Sequence, residues 1–473
     1  MAPAEPAIWR NRLPRLDILT EEQAETVHGA AMTLLEDVGF RFLYPPALEV
    51  FRAAGVDVRG DLVRMDRAFV MEQVARAPAE FEVRGRGADR TVLIGRDHVV
   101  LAPTGGAPFV LDPERGRRHP TTEDHAGFVR FTHAVRHFQV NVSGIVEPDD
   151  LPVESRHLDM DYNVLRWSDK PYFPVGATPE GSRDSVDLAA VAFGGREEIA
   201  RAPVMMGIVN PISPLLYDDR MAGSAMAYAD GGQPVVFMPF VFAGGTAPLT
   251  MAAAVAQMTA EVLAGITLVQ LVRPGNPVVF GSSVSELDLH SGQPKYATAF
   301  HGLSMLASGQ MARRYGIPFR GGGGFTAEPE PGVRAMQESL MALWPALLSG
   351  ANVILHVAGW IEGSLASSIE KMAQDLPALD VFERFLAADF PVDEESLALE
   401  VFREIGPGGT FLGAAHTLRH FREAIGDQGP GPVGWREILD GYEDPGIDPA
   451  VDEALRDFVA RRTEELARSA ATA

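Results

Sequence analysis

No cysteine occurs among the 473 residues, which excludes disulfides, thiolate zinc sites, iron–sulfur clusters and cysteine nucleophiles together. Basic residues are outnumbered by acidic ones, 41 against 64, for a formal net charge of -23. Such a field repels nucleic acid and anionic lipid, so neither is expected as a partner. Long apolar runs are scarce as well. Only Thr250 to Val272 has the length to span a bilayer, and it carries Glu261 in its middle with Gln257, Thr259, Thr267 and Gln270 around it. A buried helix, capped by Thr250 and stopped before Pro274 and Gly275, is expected there. The opening MAPAEPAIWRNRLPR has no apolar segment of signal-peptide length, and a cytoplasmic protein is expected. There is no G-x-S-x-G elbow for a nucleophilic serine.

What is present is a rhythm. Short β-branched, apolar runs occur at Val99 to Ala102, Gln139 to Ser143, Tyr172 to Gly176, Val204 to Val209, Val235 to Phe240, Val278 to Gly281, Pro318 to Gly321 and Asn352 to Val357. Helical spacing lies between them, as in Asp184, Val186, Leu188, Ala189 and Val191. Strands alternating with helices imply parallel pairing through crossovers, so the expected fold is α/β: a (β/α)8 TIM barrel spanning 99–390, preceded by an N-terminal αβ extension (1–98) and followed by C-terminal helices (391–473). In the extension, Thr20 is placed to cap a helix running to Val38, and Val99 to Leu111 reads as short strands or a hairpin broken at Pro103 to Pro108. In the tail, Asp393 is placed to cap one helix whose face is Leu397, Val401, Phe402 and Ile405, and a Gly/Pro link follows at Gln428 to Gly434.

Barrel enzymes work at the ends of their strands. Four glycines, Gly321, Gly322, Gly323 and Gly324, follow the seventh run, and a backbone without side chains lets a bulky group approach closely. Alternation along the eighth run puts His356 and Trp360 on the inward face, with Glu362 close by. Phe109 and Phe240 stand at two further strand ends. Aromatic mouths without metal ligands suit a cation held by ring faces. Phe109, Phe240, Phe325 and Trp360 are therefore the cage candidates. No metal site is expected: His416 and His420 have i, i+4 spacing but no glutamate between them. Lys371 and Asp375 read as an i, i+4 pair, worth a few tenths of a kcal/mol when exposed.

The blocks ILTEEQAETVHGAAMTLLEDVGFRF, APTGGAPFVLD, SDKP, NPISPL, AGGTAPLT, QLVRPGNPVVFG, AGWIEGSLASSIEKMAQD and EIGPGGTFLGAAHTLRHF follow one another in order. With them the chain resembles the trimethylamine methyltransferase family, specifically its members without pyrrolysine, whose known type is the glycine betaine:corrinoid methyltransferases. Of only three lysines (170, 295 and 371), two fall inside these blocks. The resemblance implies a barrel that moves methyl from a methylated amine, here a quaternary one such as a betaine, to the Co(I) corrinoid (cobalamin) of a partner corrinoid protein, with no cofactor bound by this chain itself. The glycine run, Gly321 to Gly324, would then face the corrinoid, and Arg320, His356 or a backbone N–H of that run could bind a betaine carboxylate. A homo-oligomer is expected. The alternatives are a barrel that binds methylated amines without catalysis, and direct transfer to another acceptor such as a folate. After the glycines the chain departs from the family's T-D-A-K-x-P-D-x-Q-A-x-x-E, reading FTAEPEPGVRAMQE, in which Glu338 matches the final glutamate; a later D-E-E becomes Asp375, Leu376, Pro377.

Overall fold

In a computed structural model, residues 8–288, 290, 292–426 and 434–470 are described. The expected Gly/Pro link falls outside them except for Gly434. Each of the eight apolar runs overlaps one short strand: β1 (His98–Leu101), β2 (Asn141–Val142), β3 (Tyr172–Phe173), β4 (Gly207–Val209), β5 (Val235–Phe237), β6 (Val278–Gly281), β7 (Phe319–Gly322) and β8 (Val353–Leu355). Unbroken apolar triplets are what strands covered on both faces require; Val235, Val236, Phe237, Val278, Val279 and Phe280 are all fully buried. Parallel ladders join β4 to β5, β5 to β6, β6 to β7, β7 to β8 and β8 to β1, and join β2 to β3. Hydrogen bonds link the other edges, where Gln139 Oε1 also accepts from the Leu101 N–H at 2.8 Å. The Gln139 N–H donates to the Leu101 carbonyl at 3.2 Å, and the Met206 N–H to the Tyr172 carbonyl at 3.0 Å. The topology is mixed α/β, with helices closing the C-terminal part.

The front of the chain is woven into this frame. Trp9–Arg10 pairs antiparallel with β1, Trp9 opposite Val99, and Phe40–Phe42 lies between Leu216–Tyr217 and Leu62–Arg64. Thr20 caps the Glu21–Thr33 helix in a capping box with Gln23, and that helix, with Arg67–Val74, packs on the Met251–Val272 helix. A helix covered from several sides is apolar all round. Met251–Val272 is long and apolar enough to cross a membrane, and 89% of its apolar window is buried within the protein.

One local expectation is resolved and one corrected. Residues 99–111 form short strands, not a hairpin: β1 joins the central strands, whereas Phe109–Asp112 pairs with Gly116–Arg118 and Ala366–Ser367, because Pro103 to Pro108 carries the chain away from β1. The helix capped by Asp393 stops at Leu397; Ala398, in a left-handed conformation (φ 50), separates it from Leu399–Ile405. The final helix, Pro449–Ala470, returns to pack on Arg156–Trp167 and Pro179–Phe193, where Arg462 binds Asp184 at 2.7 Å.

Candidate active site

Three adjacent strands, β6, β7 and β8, deliver five aromatic rings to one place. Phe325 follows β7 by three residues, His356 is the first residue after β8, and Trp360 opens a two-residue strand just beyond. Tyr296 and His301 come from the excursion after β6, His301 in the first turn of the Ala299–Arg314 helix that Thr298 caps. Phe325 and Trp360 meet edge to face at 4.7 Å between centroids, as do His356 and Trp360. Tyr296 lies 4.7 Å from Phe325 and 6.1 Å from Trp360, and His301 is 5.8 Å from Phe325. Each such pair is worth about 0.5–1.5 kcal/mol beyond its area. The turn that brings His356 and Trp360 together uses a left-handed residue at each end, His356 (φ 63) and Gly359 (φ 87). A non-glycine residue in that region stores strain of the kind found at functional sites.

Arg320, the second residue of β7, stands opposite Gly281 and Val353 in the register and is 1% exposed. Its side chain makes one long hydrogen bond, Nη1 to the Ser282 carbonyl at 3.4 Å, while Nε and Nη2 have no partner among the described residues. Burial lowers its pKa to about 9. An unpaired buried guanidinium is costly by several kcal/mol, so the arrangement favours an anion there. Trp360 Nε1, His356 Nδ1 and His301 Nε2 are likewise buried and unpartnered. His301 Nδ1 sits 3.0 Å from the Val284 carbonyl and so carries the proton, which leaves Nε2 as an acceptor. Burial pushes the His301 pKa down to about 4 and that of His356 well below the usual histidine range, the latter helped by Arg320. Both imidazoles are neutral at pH 7, and the ring cluster therefore holds no cation of its own.

The other candidates are placed differently. Phe109 is not part of the cluster: its face is taken by the Arg117 guanidinium, 3.6 Å from the ring centroid, and Arg117 is in turn held by Glu362 at 2.8 Å. Thus two predicted site residues serve one intramolecular cation. Phe240 contacts Phe242 at 6.2 Å; among the described residues no ring contact joins it to Trp360 or Phe325. The four glycines are buried, and protein atoms take the room their missing side chains leave. A Cβ on Gly321 would meet Ala346 at 3.1 Å, one on Gly323 would meet Leu343 at 2.6 Å, one on Gly322 would collide with the Phe325 ring, and one on Gly324 with the His356 carbonyl. The glycine run makes room for the cluster instead of opening a mouth. Nor is the Lys371–Asp375 pair exposed: both residues are buried.

Tyr296 and His301 escaped the sequence reading because their segment has no strand or helix periodicity; the available sign was a histidine in a helix's first turn amid small residues. Among the described residues, one set of donors lies close enough to share an ion, His137, Asp380 and Glu383. Arg136 already binds both carboxylates, at 2.7 and 2.8 Å.

Five rings and the unpartnered edge of Arg320 thus lie together at the ends of three adjacent strands, and comparisons with known proteins give the class of protein to which they belong. The family model for trimethylamine methyltransferase matches residues 2–425 and 433–467, so the chain belongs to that family and is a methyltransferase. It is 36% identical to the glycine betaine methyltransferase of Desulfitobacterium hafniense (strain Y51), covering 96% of this chain and 98% of the relative. It is 26% identical to the proline betaine:corrinoid methyltransferase of Eubacterium limosum, over 94% and 92%. Among solved structures, the monomethylamine methyltransferase of Methanosarcina barkeri aligns with a TM-score of 0.40 at 12% identity, over 94% of this chain and 89% of that one.

Proposed function

We propose that the protein takes a methyl group from a quaternary amine of the betaine class and passes it to the corrinoid of a separate partner protein. The observation that carries this reading is the conjunction of a buried, unpaired guanidinium edge with a cluster of uncharged rings. A betaine has a carboxylate for Arg320 and a methylated cation for Tyr296, Phe325, His356 and Trp360. The named activities of the relatives support the same substrate class and the corrinoid acceptor. The ladder circuit from β1 through β8, with hydrogen bonds at its two joins, supports a (β/α)8 barrel over 99–390 flanked by extensions 1–98 and 391–473. A cytoplasmic setting and a homo-oligomer belong to the same proposal; Phe390 and Leu412, 86% and 83% exposed, offer apolar surface for the second.

The residues account for the donor chemistry. When methyl leaves a quaternary ammonium, the C–N electron pair stays on nitrogen and a neutral tertiary amine departs. A neutral tertiary amine would instead have to expel an amide anion, and this chain, built of standard residues only, has no pyrrolysine to activate one. Rings that strip water from the ammonium and a guanidinium that fixes the carboxylate orient the methyl group in line with its acceptor. The corrinoid is the acceptor substrate and supplies the nucleophile. The packed glycines do not form a cradle for it, and no step is assigned to them.

The test mixes the protein with reduced cobalamin and a panel of betaines, following cobalamin methylation by its absorbance. Glycine betaine should turn over and trimethylamine should not. If glycine betaine, carnitine and proline betaine all bind by calorimetry yet none methylates cobalamin, the proposal fails.

A further inference from the structure

Phe325 and Trp360 each follow a glycine whose backbone is held by one buried polar strut. The Asp375 carboxylate accepts from the Gly359 N–H at 3.0 Å through Oδ2 and binds the Lys371 ammonium through Oδ1. Lys371 Nζ donates to Ser339 Oγ at 3.2 Å, and Ser339 Oγ donates to the Gly324 carbonyl at 3.0 Å. Lys371, Asp375 and Ser339 are 1%, 3% and 4% exposed. One chain of hydrogen bonds thus runs from the residue before Phe325, across the helices Val333–Leu348 and Ile369–Ala387, to the residue before Trp360. Both glycines are pinned from a second side as well: the Gly359 carbonyl accepts from the Ser368 N–H at 3.0 Å, and Gly324 lies against the His356 carbonyl.

We infer that Lys371, Asp375 and Ser339 are positioning residues that set the spacing of Phe325 and Trp360, and with it the fit of the cluster to a quaternary ammonium. A buried ion pair is a poor source of stability compared with apolar residues of the same volume, so its presence one residue away from each ring calls for another role. A fully satisfied polar network is rigid and admits one geometry, and rings that must contact a cation on several sides need that rigidity. The inference rests on the proposed function for its ligand, but the ring geometry can be read without one.

The double substitution Lys371→Met with Asp375→Leu removes both charges together, so neither is left buried and alone. The folded variant should bind glycine betaine and tetramethylammonium at least about tenfold more weakly. It should also lose the near-UV circular dichroism band of Trp360, which is defined as the wild-type spectrum minus that of Trp360→Leu. Ser339→Ala cuts only the link to Gly324; it serves if the double variant does not fold, and should weaken both ligands about threefold with the melting temperature kept. A folded variant with wild-type affinity and an unchanged Trp360 band overturns the inference. If the wild type binds no quaternary amine, the proposed function fails on its own, and the Trp360 band alone decides: lost in the variants, the strut positions the ring; retained, it does not.

Discussion

Glu261 and Arg320 are both buried charges, and the protein treats them in opposite ways. Glu261, in the middle of an apolar helix, accepts from Ser213 Oγ at 2.6 Å, the Leu215 N–H at 3.0 Å and Gln257 Nε2 at 2.9 Å, and so pins the 213–215 loop to the helix. Lys170 is of the same kind: its ammonium donates to the Thr132 and Val135 carbonyls at 2.8 and 2.9 Å, closing the end of the Thr122–Ala134 helix. Arg320 has five donor N–H groups and one long bond. A buried charge surrounded by its own chain is architecture; Arg320, left short of partners beside neutral rings, is where the proposed function puts a carboxylate.

Four results would break or sharpen that contrast. Arg320→Met should cost about 4 to 5 kcal/mol of glycine betaine binding, because a carboxylate would be left buried without its partner, should leave tetramethylammonium binding nearly unchanged, and should raise the melting temperature, since a buried unpaired charge is removed. Calorimetry with both ligands checks it, and a large fall in stability would place Arg320 with Glu261. Glu261→Leu should do the reverse, lowering stability by about 4 kcal/mol as three donors lose their acceptor, which denaturant titration measures.

The third result concerns pH. His301 is lowered from 6.5 to about 4 in the fold, so the unfolded chain binds the proton more readily. Its contribution is fully present above pH 6.5 and is lost as pH falls through 4, up to about 3 kcal/mol in all. His125, buried beside the Ser143 carbonyl and also lowered to about 4, adds a loss in the same window. Stability curves for His301→Gln should therefore show a shallower decline between pH 6.5 and 4, not its disappearance. Smallest is the comparison of two rings: Trp360→Leu should weaken quaternary-amine binding by about 1 to 2 kcal/mol, and Phe109→Leu by less than about 0.5 kcal/mol. Equal effects would put Phe109 back in the cluster.

Much of the frame was legible in the chain. Triplets such as Val235–Phe237 and Val278–Phe280 announce strands buried on both faces, and Thr20 with Gln23 announces a helix start; both are local patterns. The candidate site was legible only in part. Phe325, His356, Trp360 and Arg320 do share one place, since each lies at or just after β7 or β8. Phe109 also follows a strand, yet its ring is claimed by Arg117, a residue eight positions on that only folding brings over its face. Tyr296 and His301 arrive from an excursion with no periodicity to read.

By itself, the sequence determined the eight strands, the amine-methyltransferase blocks, and the absence of cysteine and of any pyrrolysine, because composition and periodicity are properties of neighbouring residues. Only the tertiary structure decided which charges find partners. Lys371 and Asp375, four residues apart, look like an ordinary surface pair on paper and become a buried strut between two rings, because burial and long-range hydrogen bonding depend on what the rest of the chain packs around them.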